Sequence, residues 1–279
     1  MCLVALALGC SERFPLVLAS NRDEFFARPT APLSWWPTTA GGPAVLAGRD
    51  LQAGGTWLGL SATGRLALVT NVRDGRANAP DAPSRGQLVP QWLASDEPFD
   101  AHWPRVATAG HNGYNLIAAD AATGQWHWAS PLSVVPRRLA DGLYGLSNAA
   151  LDTPWPKVES LKSALRTALA LAADADALAE RLFAALADPA PADDSALPST
   201  GVPIGFERAL SSAWIRTDDG RYGTRCSTLV ITERCTEGLL TRVIERGHGP
   251  GAVEREALLP GWPAQPVTPE PPTERLRPG

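Results

Sequence analysis

Only one block of the chain, from Pro156 to Ala187, carries a sustained helical repeat, and it stands in the middle of a sequence otherwise made of short apolar runs cut by turns. Val158, Leu161, Leu165 and Leu169 recur at three- and four-residue spacing behind Pro156, and Leu178, Leu182 and Leu186 repeat the pattern across Asp174 to Ala187. Each segment therefore has one apolar face to bury. Shorter helices are expected over Arg85–Ala94 and Ala101–Ala109. Strands first, helices in the middle and strands again require antiparallel sheets covered by helices.

The apolar runs fall into hairpins. Cys2–Leu8 and Leu16–Ser20 flank a polar turn, Gly54–Leu60 and Arg65–Asn71 flank Ser61–Gly64, and Tyr114–Ala119 and Gln125–Ser130 flank Asp120–Gly124. Gly142–Leu146 is a short strand, and Ala213–Arg216, Tyr222–Thr232 and Leu239–Glu245 close the series. Phe25–Gly42, rich in Pro and Trp, reads as a loop, as does Pro189–Pro203. From Pro260 onward seven prolines without periodicity indicate a mobile tail. With no internal repeat and no linker, residues 1–262 are expected to form one domain and 263–279 the tail.

At 279 residues and 44% hydrophobic the chain can bury a substantial core. A net charge of -4 and a pI near 5.6 leave no electrostatic footprint for nucleic acid or an anionic membrane. Cys2, Cys10, Cys226 and Cys235 show no CxxC spacing, and the four histidines stand singly, so neither a metal site nor a disulfide framework is indicated. Leu3–Cys10 lacks the basic flank of a secretory leader, so it is expected to be a buried strand and the protein cytoplasmic. No stretch approaches the roughly 18 apolar residues of a membrane span.

The chain start carries chemistry. Met1 precedes a residue small enough for the methionine to be trimmed, which would leave Cys2 with a thiol and a free α-amine on one carbon. An α-amine titrates at roughly 7.7 to 8, so near neutrality it can take the proton of its own side chain, and nucleophile and base become one residue. Taken alone, a small buried cysteine is the plainer reading of this position. Polar clusters, however, end several apolar strands: Asn21-Arg22-Asp23-Glu24, Thr70-Asn71-Val72-Arg73-Asp74 and Ser147-Asn148. The first hairpin returns Asn21–Glu24 to the neighbourhood of Cys2.

These motifs, together with Ser84-Arg85-Gly86, Gly113-Tyr114-Asn115-Leu116, Leu151-Asp152-Thr153-Pro154-Trp155-Pro156-Lys157 and Tyr222-Gly223-Thr224-Arg225, resemble those of the NRDE family, which includes the transport and Golgi organisation proteins. That family in turn resembles the amino-terminal nucleophile (Ntn) amidohydrolases of the choloylglycine-hydrolase and penicillin-acylase type. The resemblance implies an α+β fold, a four-layer αββα sandwich of antiparallel sheets. It further implies Cys2 as nucleophile, Arg22 and Asp23 as its orienting pair, Asn71 and Asn148 as oxyanion asparagines, and Arg225 as a late arginine of the site. Asn21, Glu24 and Arg73 are the expected ligand contacts. Arg22 and Asp23 are adjacent, so on a strand they face opposite ways. Either a turn brings both inward, or Asn21 and Glu24 form the pair facing the cleft. Cys226, beside Arg225, is expected to pack.

The function implied is a cysteine amidohydrolase acting on a linear, lipophilic amide, with no cofactor. The alternative implied is a non-catalytic carrier of haem or acyl-coenzyme A in the same cleft. The oligomeric state is not legible.

Overall fold

A computed structural model describes residues 2–133, 135–249 and 251–275, without the side chains of Cys2 and Arg275. Met1 and the Cys2 thiol, on which the expected nucleophile chemistry falls, lie outside the described residues. Two seven-stranded antiparallel sheets stack face to face. The first holds β1 (Cys2–Leu8), β2 (Leu16–Phe25), β10 (Gly142–Leu146), β11 (Tyr222–Cys235), β12 (Gly238–Gly247), β13 (Glu254–Pro260) and β14 (Thr273–Arg275). Their order is β10-β1-β2-β11-β12-β13-β14. The second runs in chain order through β3 (Thr30–Pro37), β4 (Ala44–Asp50), β5 (Leu58–Ser61), β6 (Arg65–Asn71), β7 (Tyr114–Asp120), β8 (Gln125–Ala129) and β9 (Arg137–Leu139).

Strand alternation divides the apolar residues into three layers of core. On β1, Val4, Leu6 and Leu8 meet Leu46, Leu58, Leu66 and Ile117 of the facing sheet, whereas Leu3, Ala5 and Ala7 turn to the helices. The helical block forms α3 (Pro156–Leu171) and α4 (Ala175–Leu186), which lay Val158, Leu161, Leu165, Leu178, Leu182 and Leu186 on the first sheet. Asp174 caps α4 by accepting the Ala177 N–H at 2.7 Å. On the outer face of the second sheet lie α1 (Leu88–Leu93) and α2 (Phe99–Ala107), with Trp92, Leu88 and Phe99 buried against it. The order of layers is therefore αββα.

Three expectations change. The Pro- and Trp-rich stretch after Phe25 is not a loop: β3 lies at the edge of the second sheet, where a bulge between Ala31 and Ser34 takes up Pro32 and the Trp36 indole donates to Ala47 O at 3.0 Å. Residues 213–216 form no strand beyond a single bridge from Arg216 to Gly223, because their backbone is spent on Asn21 and Thr224. Past Pro260, Trp262 is fully buried in the inter-sheet core and donates to Ser61 O at 2.9 Å. The Pro-rich end continues along the surface, with the Val267 N–H on Ala62 O and β14 paired to β13.

Trp262 thus closes the inter-sheet core from the far end of the chain. Replacing it by Ala should cost roughly 3 to 5 kcal/mol, read as a lowered midpoint in chemical denaturation, whereas truncation after Gln265 should cost far less.

Candidate functional site

The polar clusters assemble at one pole of the sandwich, where β1, β11 and β7 begin and β2, β6 and β10 end. Pairing places Cys2 opposite Arg22 and Arg22 opposite Cys226, so the three stand in one row across β1, β2 and β11. β10 runs antiparallel to β1 with Leu146 opposite Val4, and the chain continues into Ser147-Asn148 beside the chain start. From the second sheet, β6 delivers Asn71. Asn148 Nδ2 donates to Asn71 O at 2.8 Å and Asn71 Oδ1 at 3.3 Å, and Asn148 Oδ1 accepts from Ser147 Oγ. Thr70 Oγ1 donates to Ser147 O at 2.7 Å and the Arg73 N–H to Asn148 O at 2.8 Å. The two sheets are stitched together at this point by polar bonds rather than by apolar packing.

β2 remains a strand through all four residues of its polar motif, and its alternation decides which side each residue serves. Arg22 enters the space between the sheets. Its guanidinium lies over the Trp57 ring at 4.3 Å and donates to Thr30 Oγ1 at 3.3 Å, with Glu24 at 4.0 Å. A β-carbon at Gly48 would stand 2.5 Å from the Trp57 ring, so glycine there admits the indole under Arg22.

Asn21 and Asp23 face the helices instead, so neither expected arrangement holds: no turn brings Arg22 and Asp23 inward together, and Asn21 does not join Glu24 as a pair facing the cleft. Asn21 is fully buried; its Nδ2 donates to Leu186 O and Ala213 O, both at 2.8 Å, and its Oδ1 accepts from Ser227 Oγ at 2.6 Å. It fastens the end of α4 to the sheet rather than facing a ligand. Asp23, 1% exposed, accepts from Thr224 Oγ1 at 2.8 Å. Burial pushes its pKa up, opposed by the positive charges of the chain's amino terminus and Lys157, the Thr224 hydrogen bond and Arg22.

Arg225 is the extra residue of a bulge between Thr224 and Cys226. Its Nη1 donates to the carbonyls of Phe25, Phe26 and Arg28 at 2.8, 3.1 and 3.0 Å, clamping the turn that follows β2. Burial, and then the charge of Arg22, hold its pKa below the usual guanidinium value. Arg73, expected as a ligand contact, is buried in a 2.8 Å ion pair with Glu207 of α5 (Ile204–Ala209) and stacks on Trp155 at 4.6 Å. Glu207 also accepts from Thr200 N and Oγ1, so this pair anchors the 189–210 segment. Glu24 is the one residue of the motif left partly exposed, between Arg22 and Arg28.

Two residues escaped sequence reasoning. Lys157, buried at the first turn of α3, donates to Leu210 O at 2.8 Å and places its charge near Asp23. Its signal was rarity, since Lys157 and Lys162 are the only lysines in the chain. Glu245 of β12 lies between the sheets under Arg22, accepts the Leu33 N–H at 2.7 Å, and receives hydrogen bonds from Cys226 and Thr228. Burial pushes its pKa up to about 7 against the opposing pull of those bonds and of Arg22. Its signal was an acid in phase with Val243 on an apolar strand. Cys226 itself is buried and packs, as expected.

Among the described residues no group of three His, Cys, Asp or Glu side chains is placed to hold a metal ion, and no helix is long and apolar enough to cross a membrane.

A raised carboxyl pKa has a definite sign. The folded state keeps the Glu245 proton up to about 7 while the unfolded chain releases it near 4.5, so the contribution to stability is full below 4.5 and is lost as pH rises through about 7. Urea denaturation at pH 5 and pH 8 should show Glu245→Gln, which removes this loss, gaining on the order of 3 kcal/mol relative to the parent chain at the higher pH.

Comparison with known proteins agrees with the motif reading. The sequence model described as "Transport and Golgi organisation 2" matches residues 1–246. The transport and Golgi organization protein 2 homolog of Bos taurus is 37% identical over 238 residues, covering 79% of this chain and 83% of that protein. The Homo sapiens homolog is 32% identical over the same shares, and the Drosophila melanogaster protein 27% identical over 79% of this chain and 82% of its own length. Among solved structures, a variant of conjugated bile acid hydrolase from Clostridium perfringens superposes with a TM-score of 0.48 at 9% identity, covering 98% of this chain and 97% of that one. The N-acylethanolamine-hydrolyzing acid amidase ortholog of Caenorhabditis elegans superposes with a TM-score of 0.42 at 11% identity over 82% and 92%.

Proposed function

The chain belongs to the Transport and Golgi organisation 2 family, a name that fixes no chemistry, and from its own residues we propose that it is a cysteine amidohydrolase acting on a linear, lipophilic amide in the cytoplasm. The observation that carries this reading is the row of Cys2, Arg22 and Cys226, beside the bonded pair Asn71 and Asn148. A nucleophile at a chain terminus needs an electropositive floor and oxyanion donors held by rigid elements. Arg22, stacked and buried, supplies the first, and the strand ends carrying the asparagines supply the second.

In this scheme the mature chain begins at Cys2. Its neutral α-amine takes the thiol proton, and the thiolate adds to the amide carbonyl. The oxyanion forms against amide N–H groups, the amine passes its proton to the departing nitrogen, and a thioester remains. Water then cleaves the thioester, releasing the acid and restoring the thiol. Asn148 spends its Nδ2 on Asn71, and this bond to Asn71 Oδ1 turns the Asn71 amide so that its own Nδ2 remains to donate. Asn71 is therefore the oxyanion donor and Asn148 its holder. Asp23, on the helix side of β2, is the carboxylate whose charge the amino terminus and Lys157 both favour.

The carrier alternative would hold the anionic head of haem or acyl-coenzyme A on Arg22 or Arg225. Arg225 is engaged with three carbonyls, which leaves Arg22, buried over Trp57 beside Glu24, as the one cation of that pair to serve it. The asparagine pair, which a carrier does not need, weighs toward the hydrolase.

The test is kinetic. With a linear N-acyl amide as substrate, Cys2→Ala should abolish turnover, and Asn71→Ala should lower kcat by roughly 10² to 10³ with KM little changed. Arg225→Ala should lower stability and activity together, because it releases the 25–28 turn. Turnover that survives Cys2→Ala, or tight binding of haem or acyl-coenzyme A with no hydrolysis by the parent chain, contradicts the proposal.

A further inference from the structure

Large apolar side chains left in water are not spread evenly over this molecule. Among the described residues eight are more than half exposed: Phe25, Leu51, Leu132, Val135, Leu171, Ile204, Phe206 and Leu258. Leu171 ends α3 and Leu258 lies on β13. The other six stand at the pole where β1 begins. Phe25 ends β2, and Leu51 follows β4, bonded through its N–H to Pro29 O. Leu132 and Val135 lie between β8 and β9, with Leu132 reaching toward Gly113 ahead of β7. Ile204 and Phe206 belong to α5, which the Arg73–Glu207 pair holds against the end of β6.

We propose that this pole is a docking face for a neutral or zwitterionic lipid surface, with these six side chains inserting around the mouth of the Cys2 site. Three features favour a lipid layer over a protein partner. The side chains stand on four separate connections rather than on one helix or strand face, so no single element is presented for a peptide or a second copy to pair with. All six are aliphatic or phenyl groups, which a layer of acyl chains takes up without shape matching. Four of the exposed arginines at this pole have acids next to them: Arg76 with Asp74, Arg221 with Asp219, Arg208 with Asp194 and Arg137 with Asp152. With most of its cations paired, such a face draws little from anionic headgroups. The docking stands apart from the hydrolase chemistry and would give either reading of the cleft direct access to lipophilic ligands.

The experiment is flotation of the full chain with phosphatidylcholine vesicles. The parent chain should float with the vesicles to the same extent in about 0.1 and 0.5 M sodium chloride, since apolar insertion is not screened. The combined variant Leu132→Ser, Ile204→Ser, Phe206→Ser should lose at least about tenfold in partitioning. Leu171→Ser with Leu258→Ser, equally exposed elsewhere, should float like the parent, and so should Cys2→Ala, which separates this inference from the nucleophile assignment. Should the triple variant fail to fold, Phe206→Ser alone carries the comparison. The proposal is overturned if the parent chain stays in the soluble fraction, if both sets of serine variants behave alike, or if binding collapses in high salt. It is also overturned if sedimentation shows a dimer that the triple variant dissociates, which would make the pole an interface between copies.

Discussion

The antiparallel pairing of β1, β2 and β11 is the constraint on which the rest of the structure depends. It sets Cys2, Arg22 and Cys226 in one row. A slip of one residue in either register would turn Arg22 toward the helices and Asp23 toward the facing sheet. The register is held by what the strands bury: Val4, Leu6, Leu16 and Leu18 in the inter-sheet core, and Leu3, Ala5, Val17 and Ala19 beneath α3 and α4. The bulge at Arg225 is the one irregularity in this pairing. It lets Thr224 meet Asp23 on one side while Cys226 remains level with Arg22 on the other.

The same alternation splits the electrostatics of the pole into two chambers. Between the sheets, Arg22 faces Trp57 and the buried Glu245; under the helices, Asp23 faces Thr224 and Lys157. Each chamber holds one acid whose charge burial opposes and at least one cation that favours it. The four-residue motif is thus a partition of roles. Asn21 secures α4 to the sheet, Arg22 serves the inter-sheet side, Asp23 the helix side, and Glu24 links Arg22 to Arg28 at the surface.

Much of this was legible in the residues. The helical block and the hairpins about Ser61–Gly64 and Asp120–Gly124 followed from spacing, and the αββα layering from the motif resemblance. Asn148 and Asn71 stood out because each ends an apolar run, and the structure bonds one to the other. What escaped depends on contacts distant in sequence. β3 carries two prolines that argue against a strand, and it forms because an edge position asks less of their missing N–H groups. Arg73 looked available in sequence and is spent on Glu207, 134 positions later. Arg225 was expected in the chemistry of the site and instead holds carbonyls of the turn after β2, a task no local pattern reveals.

The central claim is that the chain acts through an amino-terminal cysteine. It is tested most directly by intact and peptide mass after incubation with an acylating lactone probe. The account predicts a chain beginning at Cys2 that carries one acyl group on its first residue, and no such adduct in Cys2→Ala. A chain that retains Met1 throughout, or acylation confined to the exposed Cys10 and Cys235, would contradict it.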